Sequence, residues 1–195
     1  SHTHIRRVSV SSLLRTQFEW FYPLSEQHQI QFKIDAPKEL YWNTDSVYFK
    51  KILANLISNA FKYTEDGGTV RISLHEEENF LVLKVYNTGK GIEEADMQNI
   101  FDRYRILGTM DNDDNRQNTT RNGLGLFICH SLVQSLGGKI DIESEVGQYA
   151  EFTVTLPFGI VEETSDNTID EEIPVSLPSP NTDIQEPQIS HTAQK

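Results

Sequence analysis

Residues 49–63, FKKILANLISNAFKY, decide the fold of this chain. Apolar side chains recur in this stretch at steps of three and four residues, which predicts an amphipathic helix with one face in the core. The opposite face carries Asn55, Asn59 and Lys62, although asparagine is a mediocre residue for a helix interior. Amide oxygens bind hard cations and ammonium groups bind phosphate, so this face is either a ligand site or an ordinary solvated surface.

The composition is that of a globular domain with a polar extension. The chain has 195 residues, of which 37% are hydrophobic and 24% charged. A net charge of −12 at pH 7 argues against a nucleic-acid partner but permits a nucleotide ligand. No apolar run is long enough for a transmembrane helix and no signal peptide is recognisable, so we expect no direct membrane contact. The single cysteine, Cys129, excludes an internal disulfide and is expected in the core.

Changes in composition divide the chain. Residues 1–7 are predicted to be a vector-derived or linker edge, and residues 8–158 to be one domain. Residues 107–121 are long, polar and rich in Asn and Asp, which favours a lid. From residue 159 to 195, eight acidic residues, one lysine and four prolines predict an acidic linker or disordered tail.

The remaining elements follow from periodicity. Alternating apolar residues predict strands at 8–11, 29–35, 40–42, 69–75, 80–86, 139–145 and 150–156. Helical spacing predicts helices at 13–27 and 93–101, and a last helix that opens at Gly123 and stops at Gly137. The strands at 69–75 and 80–86 are expected to form one antiparallel hairpin, and the last two strands another.

Two glycine segments add a chemical signal. NTGKGI at 87–92 ends a strand, where glycine lets the backbone approach a flat ligand and the preceding residues can read a base edge. GLGL at 123–126 is predicted at a helix start, where phosphate can reach backbone N–H groups. Either segment alone could be an ordinary turn. Both of them, following the asparagine-bearing helix and separated by a polar lid, indicate a nucleotide site.

These motifs resemble the catalytic and ATP-binding domain of sensor histidine kinases, within the GHKL group shared with Hsp90-, gyrase- and MutL-type ATPases. The resemblance covers residues 8–158 and rests on four ordered boxes: NLISNAFKY, NTGKGI, IFDRYR and NGLGL. It implies an α/β two-layer sandwich of the Bergerat type, with a mixed, mainly antiparallel sheet and helices packed on one face. The residues of these motifs are similar to those of hybrid two-component sensors of Bacteroidetes-type bacteria.

The resemblance implies ATP and Mg²⁺ as ligands. Asn59 is expected to bind the ion, and Asn55 to support the ion or its waters. Lys62 is expected to contact a phosphate, and Tyr63 to lie near the adenine or ribose. The base pocket and the phosphates are expected to be lined by residues of the two glycine boxes: Asn87, Gly89, Gly91 and Ile92 for the base, and Gly123, Leu124 and Gly125 for the phosphates.

Roles near the lid are less specific. Phe101 and Tyr104 are expected to be lid hinges or packing residues. Either Arg103 or Arg105 is expected to reach the γ-phosphate, since the match is one residue short there. Arg121, in place of a further glycine, either stiffens the lid or adds a phosphate contact.

Asn87 departs from the family, which usually has an aspartate there to accept a hydrogen bond from the adenine amine. The Asn87 carbonyl can accept the same bond, and its amide can donate to a ring nitrogen. The loss of charge assistance is worth about 1 kcal/mol. We therefore predict weakened, not abolished, ATP binding.

The expected activity is that of a protein-histidine kinase. In the ATPase branch of the group, the position of Asn55 is a glutamate that activates water, and an amide cannot take that proton. The γ-phosphoryl group is therefore expected to go to a histidine of an upstream phosphoacceptor and dimerisation domain, which is not in this chain and through which any homodimer would form. A receiver domain, possibly in the same polypeptide, is the second expected partner.

We expect a cytoplasmic part of a membrane-anchored bacterial sensor. Two rival functions stay open at this stage. One is a degenerate module that only senses nucleotide or docks partners, and the other is a GHKL-type ATPase. Formation of phosphohistidine separates the kinase from the first, and steady phosphate release would favour the second.

Overall fold

The computed structural model describes residues 2–102 and 119–162, and for residues 119–124 it describes the backbone alone. The strands are β1 (Arg6–Ser9), β2 (Gln31–Asp35), β3 (Tyr41–Thr44), β4 (Thr69–Glu77), β5 (Phe80–Thr88), β6 (Lys139–Glu145) and β7 (Tyr149–Pro157). The helices are α1 (Val10–Gln27), α2 (Ser46–Tyr63), α3 (Glu94–Met97) and α4 (Thr119–Ser135).

One mixed sheet forms the first layer of the domain. Its strand order is β2-β4-β5-β7-β6, in which only the β2–β4 pair is parallel. The predicted hairpins are both present, because β4 pairs with β5 and β6 with β7 in antiparallel register. The strands β1 and β3 form a separate antiparallel pair. The predicted mixed, mainly antiparallel sheet is confirmed.

Helices α1, α2 and α4 form the second layer. Helix α2 begins at the N-cap Asp45, whose Oδ1 accepts hydrogen bonds from the backbone N–H groups of Val47 and Tyr48. Its apolar face is buried against the sheet and the other helices, as the apolar pattern of residues 49–63 predicts. The buried residues of this face are Phe49, Ile52, Leu53, Leu56, Ile57, Ala60 and Phe61. The predicted two-layer arrangement with helices on one face is confirmed.

The N-terminal elements differ from the prediction. The first strand is Arg6–Ser9 rather than 8–11, because it pairs with Tyr41–Thr44 in β3. Helix α1 then begins at Val10 and continues through Pro23 to Gln27. The segment predicted to be a linker edge therefore includes the first two residues of a strand.

Other boundaries also differ. The third helix is Glu94–Met97 rather than 93–101. The compact unit of the chain spans Ser1–Glu162, slightly wider than the predicted domain. Residues 107–118 of the predicted lid and 163–195 of the predicted tail lie outside the described residues. Within the described residues, no helix is both long and apolar enough to cross a membrane.

Candidate functional site

Asn59 is the most informative residue of α2. It belongs to the polar face predicted from the sequence, yet it is only 4% exposed. Its Oδ1 is buried, and the described part of the chain offers it no hydrogen-bond partner. A buried amide oxygen without a partner is costly, so this atom needs a partner from outside the described residues.

The first glycine segment is fixed to the turn between β6 and β7. Gly89 N–H donates to Gln148 O at 3.1 Å, and Gly147 N–H donates to Lys90 O at 2.7 Å. Ile92 N–H donates to Ser144 Oγ at 2.8 Å, and that hydroxyl donates to the Tyr149 carbonyl oxygen at 2.7 Å. The loop is therefore held by hydrogen bonds at three points.

Asn87 lies at the end of β5, before this loop. Its side chain is 3% exposed, on the face of the sheet that the helices cover. Asn87 Nδ2 donates to the Thr88 carbonyl oxygen at 3.1 Å. This bond fixes the orientation of the amide, because Oδ1 in the same place would face another oxygen.

Packing within the domain requires glycine at two positions of this loop, which the sequence did not reveal. Gly89 has φ +150°, and an added Cβ would overlap the carbonyl oxygen of Tyr63 at the end of α2. Gly91 has φ +67°, and an added Cβ would lie 2.5 Å from the carbonyl oxygen of Glu145. Both glycines allow the protein backbone to approach itself, whatever ligand they also accommodate.

The second glycine segment does not stand at a helix start, contrary to the prediction. Helix α4 begins at Thr119, so Gly123 and Gly125 lie inside it. A Cβ added at Gly125 would lie 3.7 Å from both Cγ and Oδ1 of Asn55 on α2. The absence of a side chain at Gly125 therefore leaves the Asn55 amide uncovered on that side.

Lys62 and Tyr63 end helix α2. Partial burial lowers the pKa of the Lys62 ammonium group below its usual range, because desolvation disfavours the charged form. Its Nζ lies 5.4 Å from the centre of the Tyr63 ring, and Tyr63 is 49% exposed. An anion beside this ammonium group would reverse the direction of the shift.

Helix α2 therefore brings the three sequence motifs together. Asn55 faces α4, the carbonyl of Tyr63 faces the first glycine loop, and Asn59 lies one turn from each of them. Arg103, Tyr104 and Arg105 lie outside the described residues. Arg121, Gly123 and Leu124 lie in α4, but their side chains are among those not described: residues 119–124.

Sequence reasoning missed two groups next to this site. Thr64 is a buried residue directly after Tyr63, and its hydroxyl is also unpaired within the described residues. Phe101 stacks on His130 of α4, with ring centres 4.9 Å apart, and meets Phe152 of β7 edge to face. The sequence could not predict this stacking, because Phe101 and His130 belong to separate motifs. The stacking agrees with the packing role predicted for Phe101.

The fold and these motifs define a class of protein. A family model for histidine kinase-, DNA gyrase B- and HSP90-like ATPases matches residues 44–176. The chain belongs to this family. The resemblance to sensor histidine kinases that the four boxes indicated is thereby confirmed.

A curated relative agrees with this assignment. Sensor protein SrrB of Staphylococcus aureus is 36% identical over 120 residues, which are 62% of this chain and 20% of SrrB. The chain thus spans about a fifth of the length of the curated relatives it matches. Its origin in a Bacteroidetes-type hybrid sensor stays a prediction.

Solved structures share the fold. The catalytic domain of histidine kinase ThkA superposes with a TM-score of 0.64 at 23% identity, covering 79% of this chain and 97% of that one. Full-length ShkA in complex with AMPPNP gives a TM-score of 0.67 at 25% identity, covering 82% of this chain and 32% of that one. A structure of ThkA in complex with response regulator protein TrrA also matches, with a TM-score of 0.64 at 22% identity.

Proposed function

We propose that this domain binds ATP with Mg²⁺ and transfers the γ-phosphoryl group to a histidine supplied from outside the chain. The observation that carries the proposal is the buried Oδ1 of Asn59, which lies between two glycine segments and has no hydrogen-bond partner among residues 2–102 and 125–162. Membership of the ATPase family and the likeness to ShkA, whose structure contains AMPPNP, support the choice of nucleotide.

The residues of α2 fit a magnesium ion. Amide oxygens are hard ligands of the kind that Mg²⁺ accepts, and the ion keeps several waters as its other ligands. Asn59 would bind the ion through Oδ1, and Asn55 would bind it or one of its waters. When bound, Mg²⁺ offsets the negative charge of the phosphates during transfer.

Asn87 is the proposed reader of the base. Its Nδ2 is engaged by the Thr88 carbonyl, so its Oδ1 is the atom that would accept a hydrogen bond from the exocyclic amine of adenine. Guanine has a carbonyl oxygen at that position and would meet Oδ1 unfavourably. Asn87 Oδ1 thus favours adenine over guanine, although it accepts a weaker hydrogen bond than a carboxylate oxygen would.

The polar residues of α2 suit transfer better than hydrolysis. Asn55 cannot remove a proton from water, so hydrolysis lacks a general base at that position. Lys62 would contact a phosphate, and its ammonium charge would stabilise the transferred group. Phosphoryl transfer needs mainly such positioning and charge, provided that a nucleophile is brought to the γ-phosphate.

The wider assignments belong to the same proposal. The nucleophile is a histidine of an upstream phosphoacceptor domain, through which the protein would dimerise. The phosphoryl group then passes to a receiver domain; ThkA, which shares the fold, is known in a complex with a response regulator. We also propose a cytoplasmic location, as part of a membrane-anchored sensor, because the domain would use ATP and resembles part of SrrB.

A transfer assay tests the function. The chain is mixed with a separately produced phosphoacceptor domain and radiolabelled ATP, and acid-labile phosphohistidine is measured with Mg²⁺ or with EDTA. Label should appear only with Mg²⁺. Asn59→Ala should lower transfer at least tenfold, whereas the control Ser58→Ala, on the neighbouring position of α2, should retain it.

Two results would contradict the proposal. ATP binding without any phosphohistidine would favour a nucleotide-sensing or docking module. Steady phosphate release by the chain alone, at a rate that Asn55→Ala does not change, would favour a GHKL-type ATPase with a base elsewhere.

A further inference from the structure

Thr64 carries a buried hydroxyl for which the described part of the chain offers no hydrogen-bond partner. The residue is 8% exposed, so bulk water does not satisfy the group. Buried hydroxyls are rarely unpaired in folded proteins, and such a group calls for a ligand or an ordered water. Asn59 Oδ1 is in the same condition and is assigned above to Mg²⁺. The burial of the Thr64 hydroxyl therefore needs a separate explanation.

Thr64 lies where α2 meets the first glycine loop. It is the C-cap of α2, and the carbonyl of the preceding Tyr63 packs against Gly89. On another side, a Cβ added at Gly68 would lie 2.7 Å from Thr64 Cγ2 and 2.6 Å from Thr88 Oγ1. Thr64 is therefore packed beside the end of β5, the strand that carries the proposed base-reading amide.

Within the described residues, the fold makes no use of this hydroxyl. The cap is made by the backbone, since Thr64 N–H donates to the Ala60 carbonyl oxygen at 3.0 Å. The backbone is extended, with φ −79° and ψ 134°, which suits any β-branched residue. Valine would fill the same volume without burying an unpaired polar group. Packing alone would therefore favour valine at this position.

The base edge of adenine explains the hydroxyl. Its exocyclic amine, a donor, stands next to ring nitrogen N1, an acceptor. The proposed site offers Asn87 Oδ1 to the amine, while Asn87 Nδ2 is already bonded to the Thr88 carbonyl oxygen. One N–H of Nδ2 is left over, and the Thr64 hydroxyl, which has no partner among the described residues, is a second available donor for N1 next to this strand end.

We propose that Thr64 is a specificity-determining residue of the nucleotide site, whose hydroxyl donates to adenine N1 directly or through one water. The inference rests on the proposed function and names a second reader of the base. It gives the two polar groups complementary roles, with Asn87 accepting from the amine and Thr64 donating to the ring.

The test compares ATP with 1-deaza-ATP, in which a C–H group replaces N1. Binding is measured by calorimetry with Mg²⁺ for the unchanged chain, Thr64→Val and Thr64→Ser. We expect Thr64→Val to weaken ATP binding about three- to tenfold, and Thr64→Ser to restore most of it. The two variants and the unchanged chain should bind 1-deaza-ATP equally.

Thermal unfolding without nucleotide separates recognition from damage to the fold. Thr64→Val should unfold at the same or a higher temperature, because it removes a buried unpaired hydroxyl at nearly constant volume. ATP binding by Thr64→Val as tight as that of the unchanged chain overturns the inference, as does an equal loss toward 1-deaza-ATP. Both results leave the proposed function standing, whereas an unchanged chain that binds no ATP overturns both.

Discussion

The two glycine segments are alike in sequence but differ in what their glycines permit. In the first, side chains on Gly89 and Gly91 would meet backbone oxygens of the domain itself. In α4, a Cβ on Gly125 has ordinary van der Waals room, and its nearest neighbours in the described part of the chain are atoms of the Asn55 side chain. The first segment needs glycine for its own packing, while Gly125 of the second leaves uncovered the Asn55 amide, which is proposed to act in the nucleotide site.

The two segments are also held to the rest of the domain by different interactions. The loop at 87–92 is held by backbone hydrogen bonds to the turn between β6 and β7. Helix α4 is held by apolar side chains, since Leu126, Cys129 and Val133 are buried in the core. A change of backbone conformation should therefore disturb the loop, and a change of buried volume or charge should disturb the helix.

The largest effect is expected for Gly89→Ala. Its Cβ would overlap the Tyr63 carbonyl oxygen, and its φ of +150° suits only glycine. Unfolding in denaturant should show a loss of about 3 kcal/mol, together with weaker ATP binding. The control Gly67→Ala has positive φ but nothing within 4 Å of the added Cβ, so it should cost only about 1 kcal/mol. Equal losses in both variants would show that the overlap is relieved cheaply.

Alkaline pH should weaken the packing of α4 and so lower the stability of the domain. Burial raises the pKa of the Cys129 thiol from 9.0 to about 12, so the fold favours the neutral thiol. Its contribution to stability is complete below pH 9 and is lost as the pH rises toward 12. Between pH 8 and pH 10 the free energy of unfolding should fall by about 1 kcal/mol, as measured by denaturant unfolding.

The variant Cys129→Ala isolates this effect. It should have a lower stability at pH 8, because it leaves a small cavity, but a flatter dependence on pH. The hydrogen bond to Glu143 also raises the pKa of Tyr149, to about 12, which has the same sign and remains in the variant. An unchanged slope in Cys129→Ala would assign the alkaline loss to other groups.

The sequence predicted the helices and strands better than it predicted the contacts that individual residues make. The period of the apolar residues gave α2 and both hairpins, because burial on one face enforces that spacing. It misplaced the start of α4 by four residues, since polar residues before Gly123 carry no period. A local pattern could not show that Gly89 packs against the Tyr63 carbonyl oxygen, because the two residues belong to different elements. It also could not show that the Thr64 hydroxyl is buried without a partner among the described residues.

Asn87→Asp tests the proposed role of Asn87, at the end of β5, in reading the base. A carboxylate accepts more strongly from the adenine amine, so ATP should bind several-fold tighter, by about 1 kcal/mol. Without nucleotide the variant should be less stable, because a buried carboxylate would replace the Nδ2 bond to the Thr88 carbonyl oxygen. Calorimetry and thermal unfolding measure the two changes, and unaltered affinity would count against Asn87 as the reader.

The smallest effect, and the one that separates the two segments most directly, is expected for Gly125→Ala. Alanine raises helix propensity, so α4 should gain up to about 1 kcal/mol, in contrast to the loss at Gly89. ATP binding should nevertheless weaken, because the added Cβ would cover the Asn55 amide from 3.7 Å away. Gln134→Ala, at an exposed position of the same helix, should leave ATP binding unchanged. If Gly125→Ala binds ATP as tightly as the unchanged chain, the Asn55 amide that Gly125 leaves uncovered is not part of the site.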